Sequence, residues 1–291
     1  MEFPLWAAFG LTSASLSAVM MLFQERLKVH GYAMAFWNKV ACISFMLPLA
    51  LYFGLPSSWI FYALVAGQAM LWVVSDVLFF SAIPKVGAGV VSRILPISTI
   101  LTFCLWFLFD PALFGDYLET PVRSALVFAT LCASVYFAMR MKHCPVSWAA
   151  FRMIWFVVFA AVVGPIGFKL VTQHTNITQG PFSFVVCEAL VMVACWSLWY
   201  AWKKPLPHAV MFSKEAIRGG FLVGSVSSLM VASNFAAIFY VDNPGLLPAV
   251  KFTDTMIILL FYKMAGRKEE ADLVAGFGIV FCAITIVLLK M

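Results

Sequence analysis

Two charged residues, Lys251 and Asp254, stand inside the otherwise apolar run "NPGLLPAVKFTDTMIILLFYKM". Three positions apart on a helix, their side chains share one face. A base and an acid so placed can bind a zwitterion, pass a proton, or simply neutralise each other. Four more ionisable residues lie deep in apolar runs: Lys39, Asp76, Arg93 and Glu188. The guanidinium of Arg93 keeps its proton and needs anionic or carbonyl partners. Trp72 lies one helical turn before Asp76, on the same face. Three deep bases and three deep acids suit a ligand bearing a carboxylate or both charges. A cavity for lipophilic cations would more naturally show carboxylates without so many bases. The candidate substrate-binding set is therefore Lys39, Trp72, Asp76, Arg93, Glu188, Lys251 and Asp254. Trp37, Phe79, Phe80, Tyr240 and Phe252 are further candidates for an aromatic lining. Each charged group also has a plain structural use. Lys251 and Asp254 can cancel, Lys39 and Glu188 can hold two parts of the chain in register, and Asp76 can bond a basic neighbour.

The elements that carry these residues follow from composition. Of 291 residues, 64% are hydrophobic and 11% charged, with a mean hydropathy of +0.98. Soluble domains carry about 25% charged residues, so an all-α integral membrane protein in a lipid bilayer is expected. At the centre of a bilayer each charge costs roughly 2.5–3.5 kcal/mol on insertion scales. Charges kept there need partners or a function. Apolar windows of spanning length fall near 5–23, 32–53, 59–83, 88–109, 121–139, 148–171, 181–201, 218–240, 244–263 and 271–290, which makes ten expected transmembrane helices. Arg152 and Lys169 fall near the ends of the sixth, within snorkelling reach of the interface. The polar connection 203–217, "KKPLPHAVMFSKEAI", is expected to form a short surface helix. The opening "MEFPLW" lacks the basic n-region of a cleaved signal, so the first span is expected to stay.

Other chemistry finds little support. The seven cysteines form no CxxC, and all but Cys144 fall inside spans, where they serve as small apolar filler. The histidines, His30, His143, His174 and His208, sit in connections without ligand spacing. No HExxH, nucleophile elbow or Walker motif is present. An enzyme is not expected, nor any metal or cofactor. "TNIT" at 175–178 matches a glycosylation acceptor, a short motif that also arises by chance.

Internal similarity runs through the chain in a fixed order. "GYAMAFWNKVA" at 31–41 lies over "GPFSFVVCEAL" at 180–190, pairing Lys39 with Glu188. "FFSAI" at 79–83 resembles "NFAAI" at 234–238, and "SRILPIST" at 92–99 lies over "VKFTDTMI" at 250–257, pairing Arg93 with Lys251. "LVFATLCASVYFAMRMK" at 126–142 lies over "LVAGFGIVFCAITIVLLK" at 273–290. These matches divide the chain into five-helix halves, 1–145 and 146–291, forming one membrane domain. An odd repeat must re-enter from the opposite side, so the expected architecture is two inverted five-helix repeats around a central cavity.

With these two halves, the basic Lys39 early in the second helix, and "FFSAIPKVGAGVVSRILPISTIL" with its Pro96, the chain resembles the drug/metabolite transporter superfamily in its ten-helix EamA-like form. The resemblance covers nearly the whole chain. It implies a cavity lined by helices 1–4 and 6–9, with helices 5 and 10 at the periphery. The interiors of the fifth and tenth spans carry no charge, in keeping with that division.

Loop charges set the expected orientation. Arg26, Lys28, Lys85, Arg140, Lys142, Lys203, Lys204, Lys214, Arg267 and Lys268 all fall in odd-numbered connections. The positive-inside rule puts those connections in the cytoplasm and both termini outside, whereas ten-helix relatives usually have cytoplasmic termini. These loops also account for the net charge of +6, so no nucleic-acid partner is needed. The expected function is secondary active transport of a small polar metabolite, an amino acid or an organic anion or zwitterion, across the cell (inner) membrane. A proton is the candidate coupling ion. The alternative is export of cationic drugs or polyamines on the same fold.

Overall fold

In hydrocarbon every backbone N–H and C=O must bond within its own segment, so long apolar runs become long helices. The computed structural model describes residues 4–27, 29–86, 97–140, 148–265 and 272–290. Arg93 and Pro96 lie outside them, as does the side chain of Arg152. The described helices are α1 (Leu5–Leu27), α2 (Gly31–Phe53), α3 (Trp59–Val86), α4 (Ile97–Trp106), α5 (Pro111–Glu119), α6 (Pro121–Arg140) and α7 (Trp148–Thr172). They continue with α8 (Gly180–Lys203), the short α9 (His208–Met211) in the expected polar connection, α10 (Lys214–Tyr240), α11 (Leu247–Lys251), α12 (Thr253–Met264) and α13 (Leu273–Lys290). Local capping sets several starts. Ser213 accepts the Ala216 N–H at the head of α10, with Glu215 favourably placed in its first turn. His30 caps α2 by accepting the Tyr32 N–H at 3.3 Å. Burial and the nearby Lys85 push this histidine's pKa down, which favours the neutral ring that can accept.

Each of the ten apolar segments contains helix, but not ten long helices. Seven helices among the described residues are long and apolar enough to cross a membrane, or eight if one bent pair is a single span. That pair is α4 and α5, bent by 98°. The bend falls at Asp110, whose carboxylate caps α5 at the Leu113 N–H, with Pro111 opening the helix. The last apolar helix, α13, is shorter. The segment 244–263, read from sequence as one span, is interrupted. It begins as a 3₁₀ turn at Pro244–Leu246, continues as α11, and resumes as α12 after Phe252.

Packing joins elements far apart in sequence. α1 lies along α10, α10 along α2, α2 along α8, α3 along α7 and α8, and α6 along α13. The α2–α10 crossing is close because Gly220 and Gly224 leave α10 without side chains there, the small-xxx-small device of membrane helices. A Cβ on Gly224 would stand 2.5 Å from the Asn38 carbonyl oxygen and 2.5 Å from the Ala41 Cβ. Gly224→Leu is therefore expected to cost about 1–3 kcal/mol through overpacking, read as a lower melting temperature in detergent. Gly67, with nothing within 4 Å of its notional Cβ, serves as the control, and Gly67→Leu should leave the transition in place. Equal effects at the two sites would refute the close crossing.

Lys169, near the end of α7, is part-buried and meets protein partners. Its Nζ donates to the carbonyls of Ile238 at 3.2 Å, Phe239 at 3.4 Å and Val241 at 2.6 Å. An ammonium there satisfies the orphan carbonyls at the C-terminal end of α10 and complements its dipole. α7 is thus tied to α10 at one end of the cavity described next.

Candidate functional site

A cavity of about 260 Å³ lies at the centre of the bundle. Its walls come from α1–α4, α7, α8 and α10–α12, whereas α6 and α13 contribute no lining residue. Six of the seven sequence candidates line it: Lys39, Trp72, Asp76, Glu188, Lys251 and Asp254. The seventh, Arg93, lies outside the described residues.

Lys39 organises one end. Its Nζ donates to Glu188 Oε2 at 3.0 Å and stands 3.5 Å from Asp76 Oδ2, so α2, α8 and α3 meet at a single ammonium. The two arms are unequal. The Glu188 side chain is 3% exposed and Asp76 18%, and it is Asp76 that opens toward the cavity. On the same face of α3 lie Ser75 and Trp72. Trp72 fits because Gly164 on α7 leaves room for its ring, 2.6 Å from the notional Cβ. α7 is itself weakened there by Pro165, which cannot donate to the Ala161 carbonyl. Trp72, Ser75 and Asn234 line the cavity, and their Nε1, Oγ and Oδ1 atoms are buried with no hydrogen-bond partner among the described residues. Unpaired buried polar atoms are expensive and are the ones a ligand most readily satisfies.

The other end is built on the helix interruption. The Thr253 hydroxyl donates to the Val250 carbonyl at 2.8 Å, the acceptor that a continuous helix would offer to the Asp254 amide. A side-chain bond of this kind competes for the helix's own carbonyls and favours bending, and it sits beside Phe252, the residue that separates α11 from α12. Asp254 accepts from Ser17 Oγ of α1 at 3.1 Å and from Thr255 Oγ1 at 3.0 Å. Lys251 and Asp254 do not form an ion pair, and among the described residues Lys251 has neither an ion pair nor a hydrogen bond. The two charges still attract each other, at longer range than a direct ion pair. The plain use of Lys39 and Glu188 is realised, and Asp76 has found its basic neighbour.

Of the aromatic candidates, Phe79, Phe80 and Phe252 line the cavity with Trp72. Trp37 and Tyr240 do not. Trp37 Nε1 donates to the Met211 carbonyl at 2.8 Å and its ring meets Phe212, while Tyr240 stacks on Phe9. Ser17, Ser75 and Asn234 were not anticipated. A signal existed in the Asn of "NFAAI", a strong donor and acceptor inside an apolar helix.

The arrangement can hold opposite charges at separate points and offer neutral hydrogen-bonding groups between them. No group of three or more His, Cys, Asp or Glu residues suited to a metal occurs among the described residues. The chain matches no protein-family profile and no curated protein in sequence. It is similar in shape to a solved crystal structure of a protein, with a TM-score of 0.68 and 14% identity over 98% of this chain and 97% of that one. At that identity the likeness speaks for the fold alone. Together with the long apolar helices, it makes the chain a helical multi-pass membrane protein whose fold is shared, nearly end to end, with a solved structure.

Proposed function

We propose that the protein is a secondary active transporter of a small polar metabolite, an amino acid or an organic anion or zwitterion, working by alternating access in the cell (inner) membrane. The observation that carries this reading is the central cavity, in which carboxylates and lysines stand beside orphaned polar atoms at an interrupted helix. Interrupted helices that meet polar groups inside a membrane are a recurring construction of transporter binding sites. Ionisable groups at such depth are functional by default.

The same reading includes two inverted five-helix repeats, 1–145 and 146–291, of the EamA-like kind. The order of packing supports it. Taking the expected spans by number, the first packs on the eighth and the third on the sixth, which are exchanged by a five-span shift. The second packs on the seventh and the fifth on the tenth, each pair mapping onto itself.

A second reading, export of cationic drugs or polyamines, draws on the charge count of the described lining. Three carboxylates (Asp76, Glu188 and Asp254) face two lysines (Lys39 and Lys251). A thermal-shift screen of the purified protein separates the two. A ligand that binds the native state at 100 times its Kd adds about 2.7 kcal/mol of stability. Zwitterions or organic anions should raise the melting temperature. A response confined to amines would overturn the first reading in favour of the second. Chemical conversion of a stabilising compound would refute both.

A further inference from the structure

We infer that Lys39, Asp76 and Glu188 form a single-cation exchange site, in which a proton on Asp76 is traded for a substrate's primary ammonium. The inference rests on the transporter reading and specifies both its substrate class and its coupling.

Charge is the first ground. One ammonium faces two carboxylates across 3.0 and 3.5 Å, so the fully ionised cluster carries one uncompensated negative charge. An unbalanced charge enclosed by a membrane bundle is the costly state, and the cluster is balanced by binding one further positive charge. Among the described residues, the charged groups lining the cavity with Asp76 are Lys39 from α2, Glu188 from α8, Lys251 from α11 and Asp254 from α12. The lining residues of α1, α7 and α10 are not ionisable. Lys251 forms no ion pair with Asp76, so it does not close the deficit.

Geometry decides where the cation goes. Glu188 holds Lys39 more closely and is almost sealed, whereas Asp76 is the longer, more exposed arm facing the cavity. Beside it Ser75, 1% exposed, lines the same space and carries a buried hydroxyl with no hydrogen-bond partner among the described residues. An alkylammonium has three donors to place. Asp76, Ser75 and Asn234 line one cavity, and each carries an acceptor oxygen. Without substrate, Asp76 carries the proton. As the ammonium arrives, the Asp76 O–H breaks, its proton passes to water, and the carboxylate accepts the ammonium while Lys39 stays on Glu188. One cation enters as another leaves, so the charge of the site is unchanged and the exchange is one for one.

Infrared difference spectroscopy of the full-length protein in detergent tests this, since a protonated carboxyl has a C=O band that ionisation removes. The wild type should show the band, Asp76→Asn should lack it, and Asp254→Asn should keep it. Glu188→Gln should also lack it, because Lys39 and Asp76 alone already balance. Adding ethylammonium chloride should bleach the wild-type band and release one proton per bound ammonium into a weakly buffered medium. A band that persists in Glu188→Gln would overturn the charge-balance origin of the site. A band lost in Asp254→Asn but kept in Asp76→Asn would overturn the assignment to Asp76. A wild-type band untouched by ethylammonium would overturn the exchange, even if the ligand screen still finds a transported compound. The spectra need no transport substrate, so failure of the transporter reading would register separately, as a screen without hits.

Discussion

Lys39→Met should destabilise the purified protein by about 3–5 kcal/mol, the range found when one partner of a buried ion pair is removed. The substitution keeps most of the aliphatic stem and deletes the ammonium that Glu188 meets at 3.0 Å and Asp76 at 3.5 Å. The Glu188 carboxylate would be left without its ammonium inside the bundle, almost fully shielded from water and beside the Asp76 carboxyl. Three helices lose their common tether at once, because the contact joins α2, α3 and α8. Heating in detergent, followed by circular dichroism, should show a lower and broader transition. The triple variant Lys39→Met, Asp76→Asn, Glu188→Gln should recover much of the loss, since no ion remains buried without a partner and groups in contact are not additive. Lys39→Met with an unshifted transition would mean that water already screens the cluster, and the charge-balance account of the site would go with it.

The cluster was half legible in the sequence. Laying "GYAMAFWNKVA" over "GPFSFVVCEAL" pairs Lys39 with Glu188, and the fold brings these two into contact. That worked because Lys39 and Glu188 hold matching positions along α2 and α8, which pack directly. Trp72 and Asp76 were legible for a simpler reason, the fixed four-residue turn of a helix. Aromatic composition, by contrast, carries no direction. Trp37 and Tyr240 have the same side-chain chemistry as rings in the cavity, yet their helix faces turn them to Met211 and Phe9.

The interruption at Phe252 was hidden for a physical reason. A hydropathy window averages about twenty residues, whereas the break is a single residue, Phe252, beside a Thr253 hydroxyl bonded to the Val250 carbonyl. Ser17 and Ser75 are hidden in the same way, being small and nearly neutral in hydropathy. Lys169 shows the limit of reading position along a helix. Its place near the end of a span points to the interface, but its partners are three carbonyls of a helix distant in sequence. The placement of Arg93 opposite Lys251, suggested by the repeat, lies outside the described residues.

Lys251→Met should behave in the opposite way to Lys39→Met, although both remove a lysine from one cavity. Lys251 has no ion pair or hydrogen bond among the described residues, so its loss breaks no direct contact and removes only a longer-range attraction to Asp254. Asp254 keeps its bonds from Ser17 and Thr255, and Met fills the volume of the lysine stem. The melting temperature should therefore hold, or rise slightly as an unpaired buried charge disappears. Binding should suffer instead. If Lys251 holds a substrate carboxylate, deleting it removes a hydrogen bond to a charged group, worth about 1.5–3 kcal/mol, or roughly a 10- to 150-fold loss of affinity. The loss should fall on zwitterions and organic anions that stabilise the wild type. Simple amines should bind as well or better, because a like charge has left the cavity. Lys251→Arg restores the charge with a wider fork and should recover part of the carboxylate affinity. Titration calorimetry of the three proteins against a screened zwitterion and its decarboxylated amine gives the comparison. Equal loss for both ligands would point to a damaged fold rather than a carboxylate site. Unchanged zwitterion affinity in Lys251→Met would remove the anionic end of the site and leave the amine reading in its place. The contrast between the two lysines is the sharper result, since a purely structural role for both predicts that they fail together.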